Sequence, residues 1–217
     1  MNKHVALHFS VLAPLVLGFS SMTAPAGTIL FDNLSAGSPN GSYGVSNTQW
    51  VAQSFSTTNE SFILSDILLR LWNQNETSGS FEIQVWDVLG TLGTPGSQVG
   101  TTIYTGLAQN LSSSYEGLLT ITGLSVTLAP NTAYYLVAKG ATLADIPSPF
   151  DDLLPGFLYW DATDVNTSAT YDTTGSGWNG PSGQDMYMKV SAVPEPTTYG
   201  LVLGSISLAT LRRRRKA

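Results

Sequence analysis

The stretch 61-SFILSDILLRLW-72 decides the fold, because five of its apolar side chains are spaced for burial within twelve residues. These five are Phe62, Leu64, Ile67, Leu69 and Leu71. A long apolar segment of this kind, rich in branched side chains, is typical of a strand that lies against a hydrophobic core.

A second strand follows at Phe81–Asp87, where Phe81, Ile83 and Val85 alternate with polar neighbours. This period-two alternation predicts a half-buried strand with one apolar and one polar face. Trp86 falls on the polar face of the pattern, which it shares with Glu82 and Gln84.

The rest of the region between Gly27 and Val193 contains further short apolar or alternating segments separated by turn residues. They are Thr28–Leu34, Trp50–Ser56, Thr101–Gly106, Gly117–Thr122, Ser125–Leu128, Ala133–Ala138, Phe157–Asp161 and Asp185–Val193. Turn chemistry appears at Ser38–Gly41, Gly93–Gly96, Ala129–Thr132 and Gly175–Gly183. No amphipathic helix of ten residues is predicted. The pattern indicates an all-β protein, a β-sandwich of jelly-roll or immunoglobulin-like type.

The N-terminus has the pattern of a signal peptide. Lys3 precedes an apolar run, Val5–Phe19, and Ala24-Pro25-Ala26 then supplies the small-x-small pattern of a signal-peptidase site, with Ala24 and Ala26 as the small residues. Residues 1–26 are therefore predicted to be removed during export.

The C-terminus combines a polar breaker, an apolar run and a basic block. Pro194, Glu195 and Pro196 precede Thr197–Leu211, and four arginines and a lysine follow, Arg212–Lys216. Fifteen helical residues rise about 22 Å, less than the ~30 Å hydrocarbon core, so arginine snorkelling is needed for the run to span it. We predict a single transmembrane helix with its basic end in the cytoplasm.

Composition excludes several classes of function. Residues 27–193 contain fourteen acidic and only three basic residues, a net charge of −11, which argues against nucleic acid as a partner. Both histidines, His4 and His8, lie in the predicted signal peptide, and the chain has no cysteine. Histidine-dependent triads, Cys-His pairs, disulfides and the usual zinc sites are thus excluded from the exported region.

The remaining candidates are an aromatic binding surface and a calcium site. Trp178, Trp160 and Tyr159 are candidate glycan contacts, because they stand beside polar loop residues and aromatic rings give rigid binding area. Trp50 and Trp72, inside strand patterns, are expected in the core, whereas Trp160 fits either the core or the surface.

Hard oxygen ligands make Asp151, Asp152, Asp161 and Asp164 candidate calcium ligands, although their spacing is not that of an EF-hand loop. The competing interpretation is that they are solvated loop acids, with Asp161 at the end of a strand. No cofactor other than calcium is indicated.

The tail resembles a known sorting signal. Pro194-Glu195-Pro196, the apolar run and the terminal arginines are similar to the PEP-CTERM signal of Gram-negative bacteria. That resemblance implies processing by a membrane-embedded exosortase after signal peptidase has acted. It also implies a precursor tethered to the inner membrane and a product at the cell surface or in the biofilm matrix.

The central region also resembles a family, the choice-of-anchor domains of type R. The resemblance rests on Ala52-Gln53-Ser54-Phe55, Ile63–Leu71, Phe81–Asp87, the Gly93–Gly96 turn and Leu128–Val137. It implies an exported β-sandwich and supplies no catalytic residues.

These observations divide the chain into a signal peptide (1–26), a sandwich domain (27–190) and a sorting tail (191–217). We expect a non-enzymatic surface or matrix protein, with exopolysaccharide as a candidate partner. The alternatives are a carbohydrate-binding module that uses loop aromatics, with or without calcium, and a carboxylate-based glycan hydrolase. For the hydrolase, which needs two facing acids, sequence spacing singles out no pair.

Overall fold

A computed structural model describes residues 27–36, 41–74, 78–89, 94–114, 117–143, 158–163, 169–173, 177–179 and 185–195. The predicted signal peptide, with Ala24 and Ala26, and the predicted membrane helix lie outside these residues. Within the described ranges, no helix has the length and apolar character needed to cross a bilayer.

Two antiparallel sheets make up the described part of the chain, which confirms the all-β prediction. Sheet I contains β1 (Thr28–Asp32), β2 (Gly41–Val45), β4 (Phe62–Asn73), β8 (Leu118–Thr122), β9 (Thr127–Leu128), β11 (Leu158–Thr163), β14 (Asp185–Met186) and β15 (Met188–Pro194). Sheet II contains β3 (Gln49–Ser56), β5 (Ser80–Leu89), β6 (Thr94–Gln98), β7 (Tyr104–Leu107), β10 (Ala133–Gly140), β12 (Ala169–Thr173) and β13 (Trp178–Asn179). A short 3-10 turn, Ala108–Asn110, follows β7.

The twelve-residue strand β4 is the centre of sheet I. It pairs with β15 and β11 along one edge, and with β8 and β9 along the other. Its register against β15 slips between Leu64 and Asp66, so that Ser65 is the extra residue of a β-bulge. The Ser65 hydroxyl donates to the carbonyl oxygen of Ser191 at 3.1 Å and so ties the bulge to the neighbouring strand.

The bulge explains how one strand buries five side chains whose spacing changes phase. Strict alternation would put Phe62 and Leu64 on one face and Ile67, Leu69 and Leu71 on the other. One inserted residue restores the same face to both groups, and all five predicted side chains are buried.

Both sheets contribute to the hydrophobic core. Sheet II faces β4 with alternate residues of its three central strands, which are Val51, Phe55, Phe81, Ile83, Val85, Tyr134, Leu136 and Ala138. The opposite sides of the same strands form the outer face of sheet II, which is where the candidate site lies.

Two predicted turns contain strands in the structure. Within Gly175–Gly183, Trp178 and Asn179 form β13 at the other edge of sheet II. Thr94, Pro95 and Gly96 begin β6, which pairs with β5 at the edge of sheet II. Proline lacks the N–H that a central ladder requires, but an edge strand accommodates it. The composition of Gly93–Gly96 is typical of a turn, and for this reason the edge strand was not predicted.

The last strand continues beyond the predicted domain boundary at residue 190. β15 ends at Pro194, which is in register with Phe62, and the Glu195 N–H donates to the Ser61 carbonyl at 3.0 Å. The first two residues of the sorting-like motif thus lie against the sandwich, while Pro196 is outside the described residues.

We expect Ile67→Ala to lower the free energy of unfolding by about 2–5 kcal/mol, since the side chain is fully buried and its removal leaves a cavity. Leu118→Ala is the matched control, because Leu118 is 57% exposed and should change stability by less than about 0.5 kcal/mol. Urea unfolding of the two variants measures the difference, and equal midpoints would contradict the assigned core.

Candidate functional site

Three of the chain's five tryptophans meet on the outer face of sheet II. Trp50 comes from β3, Trp86 from β5 and Trp178 from β13. They pack over a small apolar patch formed by Ala52, Val137 and Tyr135, outside the main core. All three indoles are half-buried.

The three rings contact one another edge to face. Their centroids are 6.1 Å apart for Trp50 and Trp86, 6.4 Å for Trp50 and Trp178, and 6.0 Å for Trp86 and Trp178, with interplanar angles of 61–79°. Edge-to-face pairs at this separation are favourable beyond the area they bury. The cluster therefore holds its own shape on the surface of the sheet.

A tight turn positions Trp50. The Ser46 hydroxyl accepts a hydrogen bond from the Gln49 N–H at 3.0 Å, and the Trp50 indole donates to the Asn47 carbonyl at 3.2 Å. Gly140, at the end of β10, donates its N–H to the Ser46 carbonyl at 2.9 Å. A Cβ on Gly140 would lie 2.5–2.7 Å from backbone atoms of Ser46 and Asn47, so only glycine allows this approach.

Polar side chains border the tryptophans on β5 and β10. Glu82 and Lys139 are cross-strand partners, with Lys139 Nζ 3.4 Å from Glu82 Oε2. Gln84 Nε2 donates to the same oxygen at 2.7 Å, and Gln84 Oε1 accepts from the Trp86 indole at 2.8 Å. Thr102 completes the group, with Oγ1 3.3 Å from Glu82 Oε2.

Lys139 joins the polar group to the aromatic one. Its Nζ lies 4.9 Å from the centroid of the Trp50 ring, within the range of a cation–π contact. We call the seven side chains together the tryptophan face: Trp50, Trp86, Trp178, Glu82, Gln84, Thr102 and Lys139.

Beneath the tryptophans, Tyr135 is almost completely buried between Trp86 and Ser54, its cross-strand neighbours. Burial disfavours the charged phenolate and raises the pKa of Tyr135 above its usual value of 10.0. The Tyr135 side chain therefore adds no charge to the base of the face at neutral pH.

Of the three predicted glycan contacts, the structure puts Trp178 on the tryptophan face. Trp160 is fully buried in the core and donates its indole N–H to the Tyr187 carbonyl at 3.0 Å, so it cannot contact a ligand on the surface. Tyr159 lies in β11, where its backbone is in register with Gly44 and Trp72. The structure describes the backbone of this residue and not its side chain.

The two tryptophans predicted for the core, Trp50 and Trp72, lie in different environments. Trp72 is buried. Trp50 is on the outer face of sheet II, because the residues directly before and after it, Gln49 and Val51, take the inward positions of β3. The alternating pattern assigns Trp50 to one side of a strand, but it does not tell which side is exposed to solvent.

The calcium candidates are only partly described. Asp161, predicted at the end of a strand, is fully buried within β11, where its Oδ1 accepts the Trp72 indole N–H at 2.7 Å. Asp151, Asp152 and Asp164 lie outside the described residues. Among the residues that the structure does describe, no three acidic or histidine side chains are grouped to hold a metal.

Trp86 is the site residue that sequence reasoning placed correctly on the polar face but did not assign to a site. Its signal was a large aromatic in alternation with Glu82 and Gln84. Nothing local connects this position to Trp50 or Lys139, because the connection passes through strand pairing.

Comparison with known proteins identifies no family. No protein-family model matches the chain, and no curated protein matches it. Among solved structures, it is similar to the cysteine protease and lectin-like domains of Cwp84, a surface-layer-associated protein of Clostridium difficile, with 11% identity and a TM-score of 0.47. A clostridial Cwp84 structure after propeptide cleavage gives 12% identity and a TM-score of 0.49.

These matches cover 69% and 72% of this chain. They cover 33% and 38% of the clostridial chains, so this chain spans about a third of the length of the proteins that it matches.

We expect Gly140→Ala to displace the Ser46–Asn47 turn and with it the Trp50 ring, at a cost of about 1–3 kcal/mol for the overpacked site. The emission spectrum of the tryptophans should shift as Trp50 moves, and the unfolding midpoint should fall. Gly27→Ala is the control, because its new Cβ would meet only the Ala192 carbonyl at 3.8 Å. Wild-type fluorescence in the Gly140 variant would contradict the role given to this turn.

Proposed function

We propose that this protein binds a glycan through the tryptophan face. The observation that carries the proposal is the meeting of Trp50, Trp86 and Trp178 within 6.4 Å of one another on the outer face of the sheet. A cluster of half-buried indoles outside the core is a preferred surface for binding, since Trp buries a large area at a small entropic cost.

The face has the two kinds of group that a sugar requires. Pyranose rings present C–H groups on their faces and hydroxyl groups at their edges. Indole rings pack against the former, and Glu82, Thr102 and Lys139 can hydrogen-bond the latter. The Glu82 and Lys139 side chains are 24% and 23% exposed, so both remain accessible to a ligand.

The shared hydrogen bonds hold these polar groups in place before a ligand arrives. Glu82 is fixed by Gln84 and Lys139, and Trp86 is fixed by Gln84. Binding to a preorganised surface loses less side-chain entropy than binding to a mobile one.

Export and sorting complete the proposal. A non-enzymatic glycan-binding domain at the surface or in the matrix of a Gram-negative bacterium agrees with the signal-peptide pattern, the PEP-CTERM-like tail and the absence of His and Cys from residues 27–193. In this role exosortase and signal peptidase are processing partners, and exopolysaccharide is the ligand.

We expect Trp86→Ala and Trp178→Ala each to weaken polysaccharide binding about tenfold or more, a loss of roughly 1.4 kcal/mol for one stacking surface. Affinity electrophoresis through gels containing a panel of polysaccharides, including those of the producing bacterium, measures the effect. Leu118→Ala, which removes an exposed apolar side chain of sheet I, should bind like the wild type. Retention of the tryptophan variants equal to that of the wild type would refute the site.

The sorting proposal has a separate test. Deleting residues 196–217 keeps β15 intact through Pro194, so the sandwich should fold with an unchanged unfolding midpoint. In the producing bacterium the truncated protein should lose both proteolytic processing and surface display. If the truncation were processed and displayed like the full chain, the tail would have no sorting role.

A further inference from the structure

Both lysines of residues 27–193 are already paired with carboxylates. Lys139 Nζ is 3.4 Å from Glu82 on the tryptophan face, and Lys189 Nζ is 3.7 Å from Asp32 on sheet I. Neither ammonium group is an uncompensated positive charge on the surface.

The third basic residue is engaged on the other sheet. Arg70, in β4, donates from Nη2 to the Leu34 carbonyl at 2.8 Å, and its guanidinium carbon lies 4.2 Å from the centroid of the Tyr187 ring. Arg70 is half-buried, and sheet I is the sheet opposite the tryptophan face.

These three residues are all the basic groups of a region with a net charge of −11. A ligand with carboxylate, sulfate or phosphate groups would approach a negative surface with no uncompensated cation at its site. Repulsion of this kind lowers both the association rate and the affinity of an anionic partner.

From this charge distribution we infer that the ligand is an uncharged glycan rather than an acidic polysaccharide, an inference that rests on the proposed function. Among the side chains of the tryptophan face, the carboxylate of Glu82 is balanced by the ammonium of Lys139, and Asp172 of β12 lies in register with both Trp50 and Trp178. The face therefore offers stacking and hydrogen bonds without an uncompensated cation, which favours the hydroxyl groups of a sugar over anionic groups.

The experiment titrates the intact exported protein with three classes of polysaccharide, at about 50 mM and about 500 mM NaCl. The neutral class is a glucan and a galactomannan, the acidic class is alginate and polygalacturonate, and the cationic class is chitosan oligosaccharides. We expect the protein to bind a neutral glycan. The dissociation constants at the two salt concentrations should agree within about twofold, because salt screens only interactions between charges.

Other outcomes overturn the inference in distinguishable ways. Binding only to an acidic or a cationic glycan, abolished by Trp86→Ala, would refute the inference and leave the proposed function intact. No binding to any polysaccharide would refute both.

A charge variant tests the balance directly. Glu82→Gln keeps an acceptor for Gln84 but frees the Lys139 ammonium, so binding to alginate should rise about fivefold at low salt and the gain should vanish at high salt. Asp32→Asn is the matched control, since it frees Lys189 and changes the net charge by the same amount on sheet I. An equal gain in both variants, or none in Glu82→Gln, would show that local charge balance does not set the ligand class.

Discussion

The sandwich depends on the β-bulge at Ser65. β4 pairs with four other strands of sheet I, and it can bury side chains along its whole length only because the bulge turns Leu64 and Ile67 to the same face. Without the bulge, one half of this strand would expose its apolar residues to solvent. A single extra residue therefore sets the register of the strand against which sheet II packs.

The tryptophan face depends on that packing. Sheet II can present an outer face with Trp50 and Trp86 only because the alternate residues of the same strands, such as Val51 and Val85, are taken up by the core. β10 lies between β3 and β5 and supplies both the apolar base, through Val137, and the lysine that joins the aromatic and polar groups. Core and surface site are thus two sides of the same three strands.

Much of the fold could be predicted from alternation. The five core residues of β4 and the buried set Phe81, Ile83 and Val85 were identified correctly, because side-chain period and hydrophobicity are local properties. The edge strands β6 and β13 were missed, since the glycine and proline in and around them predict a turn more strongly than a strand. Trp50 was assigned to the core and Trp160 was left open between core and surface. Both stand in strands, and composition does not tell the buried face from the solvated one for an amphipathic ring.

The sequence by itself determined the charge of −11 and the lack of histidine and cysteine in residues 27–193, since these follow from residue identity alone. Tertiary structure decided which tryptophans meet. Trp50, Trp86 and Trp178 are far apart along the chain and lie in strands whose adjacency is set by long-range pairing, together with the turn that Gly140 permits. A binding face built across strands has no local signature, because its members share a surface and not a segment.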